Sequence, residues 1–219
     1  MARPRNEELK AKIQREAWRL FHESGYDAAT YAAIADACGI SRNLVQYHFP
    51  KKELLAISLM DRVLEEAEAA LAEQATEGSN DFSAMCAAGT CYFEFLLQDE
   101  GYRNFLLDII SSRSLTESVL AFNASWAFER VGEPEGGELD EVMRTVIISM
   151  GGFYELLYYC LKNGKPIDVG REIRAVMRAF ICALGRGGEE EADALLDAGA
   201  VDEEGAARAV ARMDAALDF

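Results

Sequence analysis

Apolar positions recur near the start of the chain with the 3.6-residue period of an amphipathic helix. The first such run ends at the stop signal Ser24-Gly25. A run of about two turns follows Thr30, a favourable N-cap, and ends at Gly39. Ser41 caps a third run, from Arg42 to His48. The pattern predicts three short helices, the first with a buried face of Leu9, Ile13, Ala17, Leu20 and Phe21.

Longer helical patterns fill most of the remaining chain. A helix is expected from about Lys51, with Pro50 in its first turn and a polar loop at 76–80 after it. Its apolar positions are Leu54, Leu55, Leu59, Val63, Leu64, Ala67 and Leu71. Further helices are predicted over residues 82–97, 102–110, 115–131, 139–161 and 169–184, with a Gly/Pro/Glu loop at 132–137. Sustained period-two alternation is missing, so the sequence predicts an all-α fold.

The pattern divides the chain into three parts. Residues 1–55 form a three-helix helix-turn-helix domain, and residues 56–185 form a larger helical domain. Residues 186–219 are acidic and begin in a Gly-rich stretch, although 206–217 keep helical potential. We interpret this segment as an appendage with one weakly docked helix at most.

Composition excludes several classes of protein. The chain has 219 residues, of which 50% are apolar, but its apolar stretches fall short of the roughly 20 residues that span a bilayer. The N-terminus lacks the apolar run of a signal peptide, so we expect a cytoplasmic protein without a membrane segment. With five dispersed cysteines and two histidines, we expect reduced buried thiols and no metal or cofactor, a redox-sensing cysteine pair being the alternative.

Charge is distributed unevenly along the chain. The overall charge is −16, which by itself argues against a nucleic-acid partner. Residues 1–55, however, carry nine basic and seven acidic groups, whereas the remainder carries 13 basic and 31 acidic ones. The N-terminal domain is therefore the expected DNA-contacting surface, and the rest must face away from the phosphates.

The two helices around Gly39 have the sequence form of a helix-turn-helix, whose second helix enters the major groove of DNA. At about 100° per residue, the polar residues of this helix occupy about 140° of arc. They are Arg42, Asn43, Gln46 and Tyr47. Arg pairs with guanine, Asn or Gln with adenine, and a Tyr hydroxyl with phosphate. The alternative is an ordinary solvated helix face.

Residues 25–55 resemble the DNA-binding domain of the TetR family of bacterial transcriptional regulators. The resemblance rests on Gly25-Tyr26, Thr30, Ile34-Ala35, Ala37, Gly39-Ile40-Ser41, Tyr47-His48-Phe49, Lys52 and Leu54-Leu55. It implies a homodimer that binds a palindromic double-stranded operator, and a helical domain whose ligand releases the DNA.

The resemblance also implies roles for individual residues. Thr30 corresponds to a cap that approaches a phosphate, and Lys52 to a lysine that contacts the DNA backbone. The full set of predicted DNA contacts is Thr30, Ser41, Arg42, Asn43, Leu44, Gln46, Tyr47, His48, Lys51 and Lys52. The family most often has Gly where Asn43 stands and Tyr where Gln46 stands. One phosphate contact is therefore in doubt, and Gln46 provides a new side chain that can read a base. For His48, a locally bonded histidine is the alternative to a phosphate contact.

Two apolar stripes near the C-terminus resemble the helices of the family's dimer interface, although an intramolecular core explains part of the pattern. The predicted interface is Met150, Phe153, Leu157, Ile173, Val176, Met177, Phe180, Ile181 and Leu184. Aromatic residues are also dense in the middle helices, which is consistent with a largely apolar ligand cavity, while plain core is the alternative and the more common role of an aromatic residue at helical spacing. Its predicted lining is Tyr92, Phe93, Tyr102, Phe105, Phe122, Trp126, Phe153 and Tyr154.

The sequence therefore favours a DNA-binding transcriptional regulator, interpreted as a repressor that an unknown small ligand releases. Common catalytic motifs, such as the G-x-S-x-G elbow, the P-loop and H-E-x-x-H, are missing, so we do not expect an enzyme. One alternative is an all-helical small-molecule carrier or enzyme whose first helices are only structural. Another is an interaction module that has lost DNA binding.

Overall fold

The structure is a computed structural model that describes residues 2–72, 74, 78–132 and 138–217, with the backbone alone for residues 2–5 and 138. These residues form α-helices and contain no strand, so the fold is all-α as predicted. The helices are α1 (Ala2–Ala28), α2 (Tyr31–Cys38), α3 (Arg42–His48), α4 (Glu53–Ala72), α5 (Asp81–Gln98), α6 (Glu100–Ser111), α7 (Arg113–Val131), α8 (Glu138–Lys162), α9 (Val169–Ala183), α10 (Glu189–Asp197) and α11 (Glu203–Ala216).

Local signals position most helix ends where the sequence predicts them. Gly25 has a φ of 82° and interrupts α1, in agreement with the predicted stop at Ser24-Gly25. The Thr30 hydroxyl accepts a hydrogen bond from the Ala33 backbone, and Gly39 takes the left-handed conformation after α2. The predicted loops fall partly outside the described residues, because 76–77 and 133–137 are not among them.

The start of α4 differs from the prediction. Pro50 lies before the helix rather than in its first turn, because Lys51 and Lys52 form a separate turn and α4 begins at Glu53. Leu54 was expected on the buried face but is 47% exposed. Leu55, Leu59 and Val63 occupy the buried face at four-residue spacing, and Leu54 is rotated from it by about 100°.

One continuous core joins the N-terminal helices to the rest of the molecule. Helix α1 packs along α6, and helix α4 contacts both α1 and α5. Phe21 of α1 stacks on Phe105 of α6, with ring centroids 5.3 Å apart and both side chains fully buried. The three-helix unit is therefore attached to the second helical layer through a shared aromatic contact.

The C-terminal segment is more ordered than the predicted appendage. It forms two helices, of which α11 packs on α4 and α5, and α10 packs on α9. Asp193 of α10 pairs with both Arg174 and Arg178 of α9, at 3.0 and 2.9 Å. Apolar side chains in and directly after these helices are buried, although their scattered positions in an acidic segment did not indicate a buried face. They are Ala192, Leu196, Ala209, Met213 and Leu217.

The remaining composition-based expectations concern membranes, cysteines and metals. No described helix is both long and apolar enough to cross a membrane. All five cysteines are unbonded, and Cys38, Cys91 and Cys160 are buried. Within the described ranges there is no cluster of three or more His, Cys, Asp or Glu side chains arranged to hold a metal ion.

Candidate DNA-binding site and ligand cavity

Helices α2 and α3 form a helix-turn-helix with a clear division between core and surface. Val45 and Phe49 anchor α3 to the domain, with exposures of 0% and 4%. Arg42 and Asn43 are exposed, and Tyr47 is 75% exposed. An exposed aromatic ring of this size beside an arginine and an amide is a suitable reading surface for DNA.

The other predicted positions of α3 are less accessible. Leu44 and Gln46 are half-buried at the edge of the exposed face. The His48 ring packs edge-on against Tyr47 at 5.3 Å, and its Nε2 is buried without a hydrogen-bond partner in the described chain. The local hydrogen bond considered for His48 is therefore not made at Nε2. In the structure the ring packs against Tyr47 instead.

The predicted backbone contacts outside α3 are arranged in two ways. Thr30 and Ser41 are exposed caps at the N-termini of α2 and α3, and Lys51 is exposed after them. Lys52 is half-buried, and its Nζ donates to the Tyr26 carbonyl at 2.8 Å and lies 3.9 Å from the Tyr26 ring centre. Burial lowers the pKa of Lys52. Its phosphate contact remains a prediction, since the ammonium group is already engaged.

A joint between α1 and α6 was missed by sequence reasoning. The Tyr26 backbone N–H donates to Asp108 Oδ2 of α6 at 2.8 Å. His22 Nε2 lies 2.6 Å from Oδ1 of Asp99, the N-cap of α6. Burial alone would raise the pKa of Asp99, but hydrogen bonds from the Tyr102 backbone and from His22 lower it. The sequence marks one side of this joint through the Gly25-Tyr26 pair. Asp108, the partner of Tyr26, lies 82 residues further along the chain and has no local pattern that relates it to that pair.

Replacing Gly25 with alanine tests this joint. Gly25 combines φ 82° with ψ 167°, a region open almost only to glycine, and a Cβ there would lie 2.8 Å from Asp108 Oδ2. We expect Gly25→Ala to lower the free energy of unfolding by about 1–3 kcal/mol, measured by urea denaturation. Gly151→Ala is the matched control, because its Cβ meets no atom within 4 Å. Equal stability of the two variants would contradict the assigned strain.

An apolar cavity of about 80 Å³ lies between α4, α5, α7, α8 and α9. Three predicted residues line it: Tyr92, Phe93 and Trp126. The other five predicted residues do not line it and need correction. Phe105 stacks on Phe21, and Tyr102 packs against His22 at the joint, because α6 faces α1 rather than the cavity. The rings of Phe153 and Tyr154 pack against Phe93, with centroids 4.8 and 6.3 Å from its own. Phe122 is a half-buried side chain packed on the core.

The predicted dimer stripes also need correction. Most of them are covered by the chain itself, because the inner faces of α8 and α9 pack on each other, α9 also packs on α5, and α8 also packs on α6 and α7. The buried members are Met150, Phe153, Leu157, Ile173, Met177, Phe180 and Ile181, while Val176 and Leu184 are half-buried. The outer face of α8 instead carries exposed apolar side chains that are not in the predicted interface: Ile147, Ile148, Leu156 and Tyr159.

One family model and several known proteins are similar to this chain. Residues 13–59 match the family model described as bacterial regulatory proteins, tetR family. The chain is 23% identical over 167 residues to the HTH-type transcriptional activator FasR of Mycolicibacterium smegmatis, covering 74% of this chain and 76% of that protein. A solved structure of SmeT, the repressor of the Stenotrophomonas maltophilia multidrug efflux pump SmeDEF, aligns with a TM-score of 0.46 and 18% identity, over 80% of this chain and 89% of that one. The matched residues span the helix-turn-helix described above, so this chain carries at its N-terminus a DNA-binding domain of the TetR family of bacterial transcriptional regulators.

Proposed function

We propose that this regulator is a cytoplasmic repressor without catalytic activity, which binds a two-fold symmetric operator as a homodimer and is released by a small ligand. The observation that carries the proposal is the joint between α1 and α6. Helix α6 packs on α5, α7 and α8, which line the cavity, while α1 packs on α2 and α2 packs on α3. A ligand that shifts α5, α7 or α8 would displace α6, and through the joint it would move α1 and the orientation of α3.

The charge distribution supports binding through the N-terminal domain alone. Residues 1–55 have a net charge of +2, and the remaining residues have a net charge of −18. Affinity for DNA should therefore fall steeply with salt, because cations around the phosphates are displaced when lysine and arginine bind. Arg42 and Lys51 are exposed on this domain and available for such contacts.

A gel shift with the DNA upstream of the chain's own gene, at two salt concentrations, tests DNA binding. A repressor or activator should give a salt-sensitive complex whose half-sites are related by two-fold symmetry. A small-molecule carrier, an enzyme or an interaction module that has lost DNA binding should give no specific complex. Failure to shift that DNA and a genomic library of fragments would overturn the proposal.

The direction of regulation requires a separate measurement. FasR of M. smegmatis is a transcriptional activator, whereas we propose that this chain is a repressor. A reporter under the bound promoter should show higher expression when the gene for this chain is deleted. Lower expression would indicate activation and would overturn repression without affecting DNA binding.

Gln46→Ala tests how α3 reads DNA. A Gln amide can pair with N6 and N7 of adenine, and Gln46 borders the exposed face that contains Arg42 and Asn43. If Gln46 reads a base, the variant should lose about 1–3 kcal/mol at the preferred operator and relax the choice at one base pair in each half-site. The measurement is binding to a library of single-base operator variants. Uniform weakening across the library would instead indicate a phosphate contact, and no change would place the side chain away from DNA.

A further inference from the structure

The cavity between α4, α5, α7, α8 and α9 has a largely apolar lining with a few polar groups. None of its lining residues is charged, and most are aliphatic, aromatic or methionine side chains. The polar groups come from Tyr92 of α5, from Asn123 and Trp126 of α7, and from Ser149 of α8. The Ser149 hydroxyl is already used, because it donates to the Thr145 carbonyl at 2.7 Å.

Two of these polar groups are buried without a partner. The Tyr92 hydroxyl and Trp126 Nε1 are inaccessible, and neither forms a hydrogen bond within the described chain. Burying such a group unpaired is costly, and most buried polar groups in proteins have a partner. Burial also raises the pKa of Tyr92, so its hydroxyl stays protonated and remains a donor. Two hydrogen-bond donors without a partner therefore belong to residues that line the cavity.

The neighbouring groups do not supply a charge for an anion. Asn123 Nδ2 donates to the Tyr154 hydroxyl at 2.5 Å. Arg130, the nearest cation on α7, lies over the Trp126 ring at 4.3 Å but is not among the lining residues. Its guanidinium is paired with Glu68. A carboxylate entering the cavity would lose its hydration and meet no free cation.

We propose that the cavity binds an uncharged, largely apolar molecule with one strong hydrogen-bond acceptor, such as a ketone, ester or amide oxygen, which accepts from Tyr92 and Trp126. This inference rests on the proposed function, since it names the class of ligand that would release the repressor. A volume of about 80 Å³ selects small molecules in this conformation. The lining residues Met85, Met150 and Met177 have flexible side chains that can repack around a somewhat larger ligand.

The indole N–H signals in the NMR spectrum provide a direct test on the full-length protein. The chain has two tryptophans, so Trp126→Phe assigns the Trp126 signal and Trp18 serves as an internal control. The probes are cyclopentanone, methylenecyclopentane and butanoate, which have equal numbers of non-hydrogen atoms. They present a neutral acceptor, a hydrocarbon of similar shape and an anion.

Cyclopentanone should move the Trp126 indole signal downfield and leave the Trp18 signal in place. It should bind about tenfold more tightly than methylenecyclopentane, the factor that a hydrogen bond near the upper end of the usual range supplies. Butanoate should bind more weakly than both. Equal binding of ketone and hydrocarbon, preference for butanoate, an unmoved Trp126 signal, or no binding of any probe would overturn the inference.

Two variants separate the hydrogen bond from the shape of the cavity. Tyr92→Phe should remove most of the preference for the ketone and leave binding of the hydrocarbon unchanged. Tyr158→Phe, which removes a hydroxyl from a half-buried residue outside the cavity lining, should preserve the preference. An undiminished preference in Tyr92→Phe would overturn the role of this hydroxyl. These measurements contain no DNA, so a failed gel shift does not affect them, and a ketone that binds without releasing operator DNA would contradict only the proposed function.

Discussion

Replacing Phe105 with alanine is expected to lower the free energy of unfolding by about 3–5 kcal/mol, the usual cost of removing a buried phenyl ring. Phe105 is fully buried and stacks on Phe21 with an interplanar angle of 20°. The substitution removes apolar burial and leaves a space between α1 and α6. Urea denaturation at fixed protein concentration measures the loss.

Phe122→Ala is the control for this prediction. Phe122 is half-buried on α7, so the same chemical change should cost clearly less. The double variant Phe21→Ala with Phe105→Ala should lose less stability than the sum of the two single variants, because each ring packs against the other. Additive losses, or a cost for Phe105→Ala no larger than for Phe122→Ala, would contradict the assignment of this stack as the joint between the helical layers.

Replacing Ile148 with glutamate is expected to convert the proposed dimer into a monomer. Ile148 is 61% exposed on α8, which also carries the exposed side chains of Ile147 and Tyr159. Exposed apolar surface of this kind marks interaction sites, and we propose that it binds a second copy of this chain. Burying an unpaired carboxylate there should cost about 3 kcal/mol or more, which weakens dimerisation at least about a hundredfold. Size-exclusion chromatography with light scattering measures the mass.

Two further glutamate substitutions identify the cause of any change in mass. Leu54→Glu introduces the same charge at an exposed apolar site on α4 and should leave the dimer intact. Phe180→Glu places the charge in the core, where Phe180 is 4% exposed, and should unfold the C-terminal helices. A monomeric wild-type protein at micromolar concentration, or a dimeric Ile148→Glu variant, would contradict the proposed interface.

Tertiary structure decided which faces of the long helices are buried. The period of α8 and α9 predicts an apolar stripe on each, but a stripe that packs inside the chain has the same pattern as one that packs on a second copy. Packing of α8 on α6, α7 and α9, and of α9 on α5, buries Phe153, Ile173 and Phe180 and leaves Ile148 outside. The cavity lining depends on the same choice, which is why Trp126 lines the cavity and Phe105 does not.

The sequence by itself determined the local structure around the DNA-binding helix, because those features depend on neighbours a few residues apart. Thr30 and Ser41 cap their helices within three residues, Gly39 ends α2, and the buried position of Val45 follows from helical spacing. Only the tertiary structure brought Asp108 to Tyr26, since no short-range pattern relates residues 82 positions apart. It also docked the acidic C-terminal segment, whose small apolar side chains bury surface only once α4, α5 and α9 form a surface to pack against.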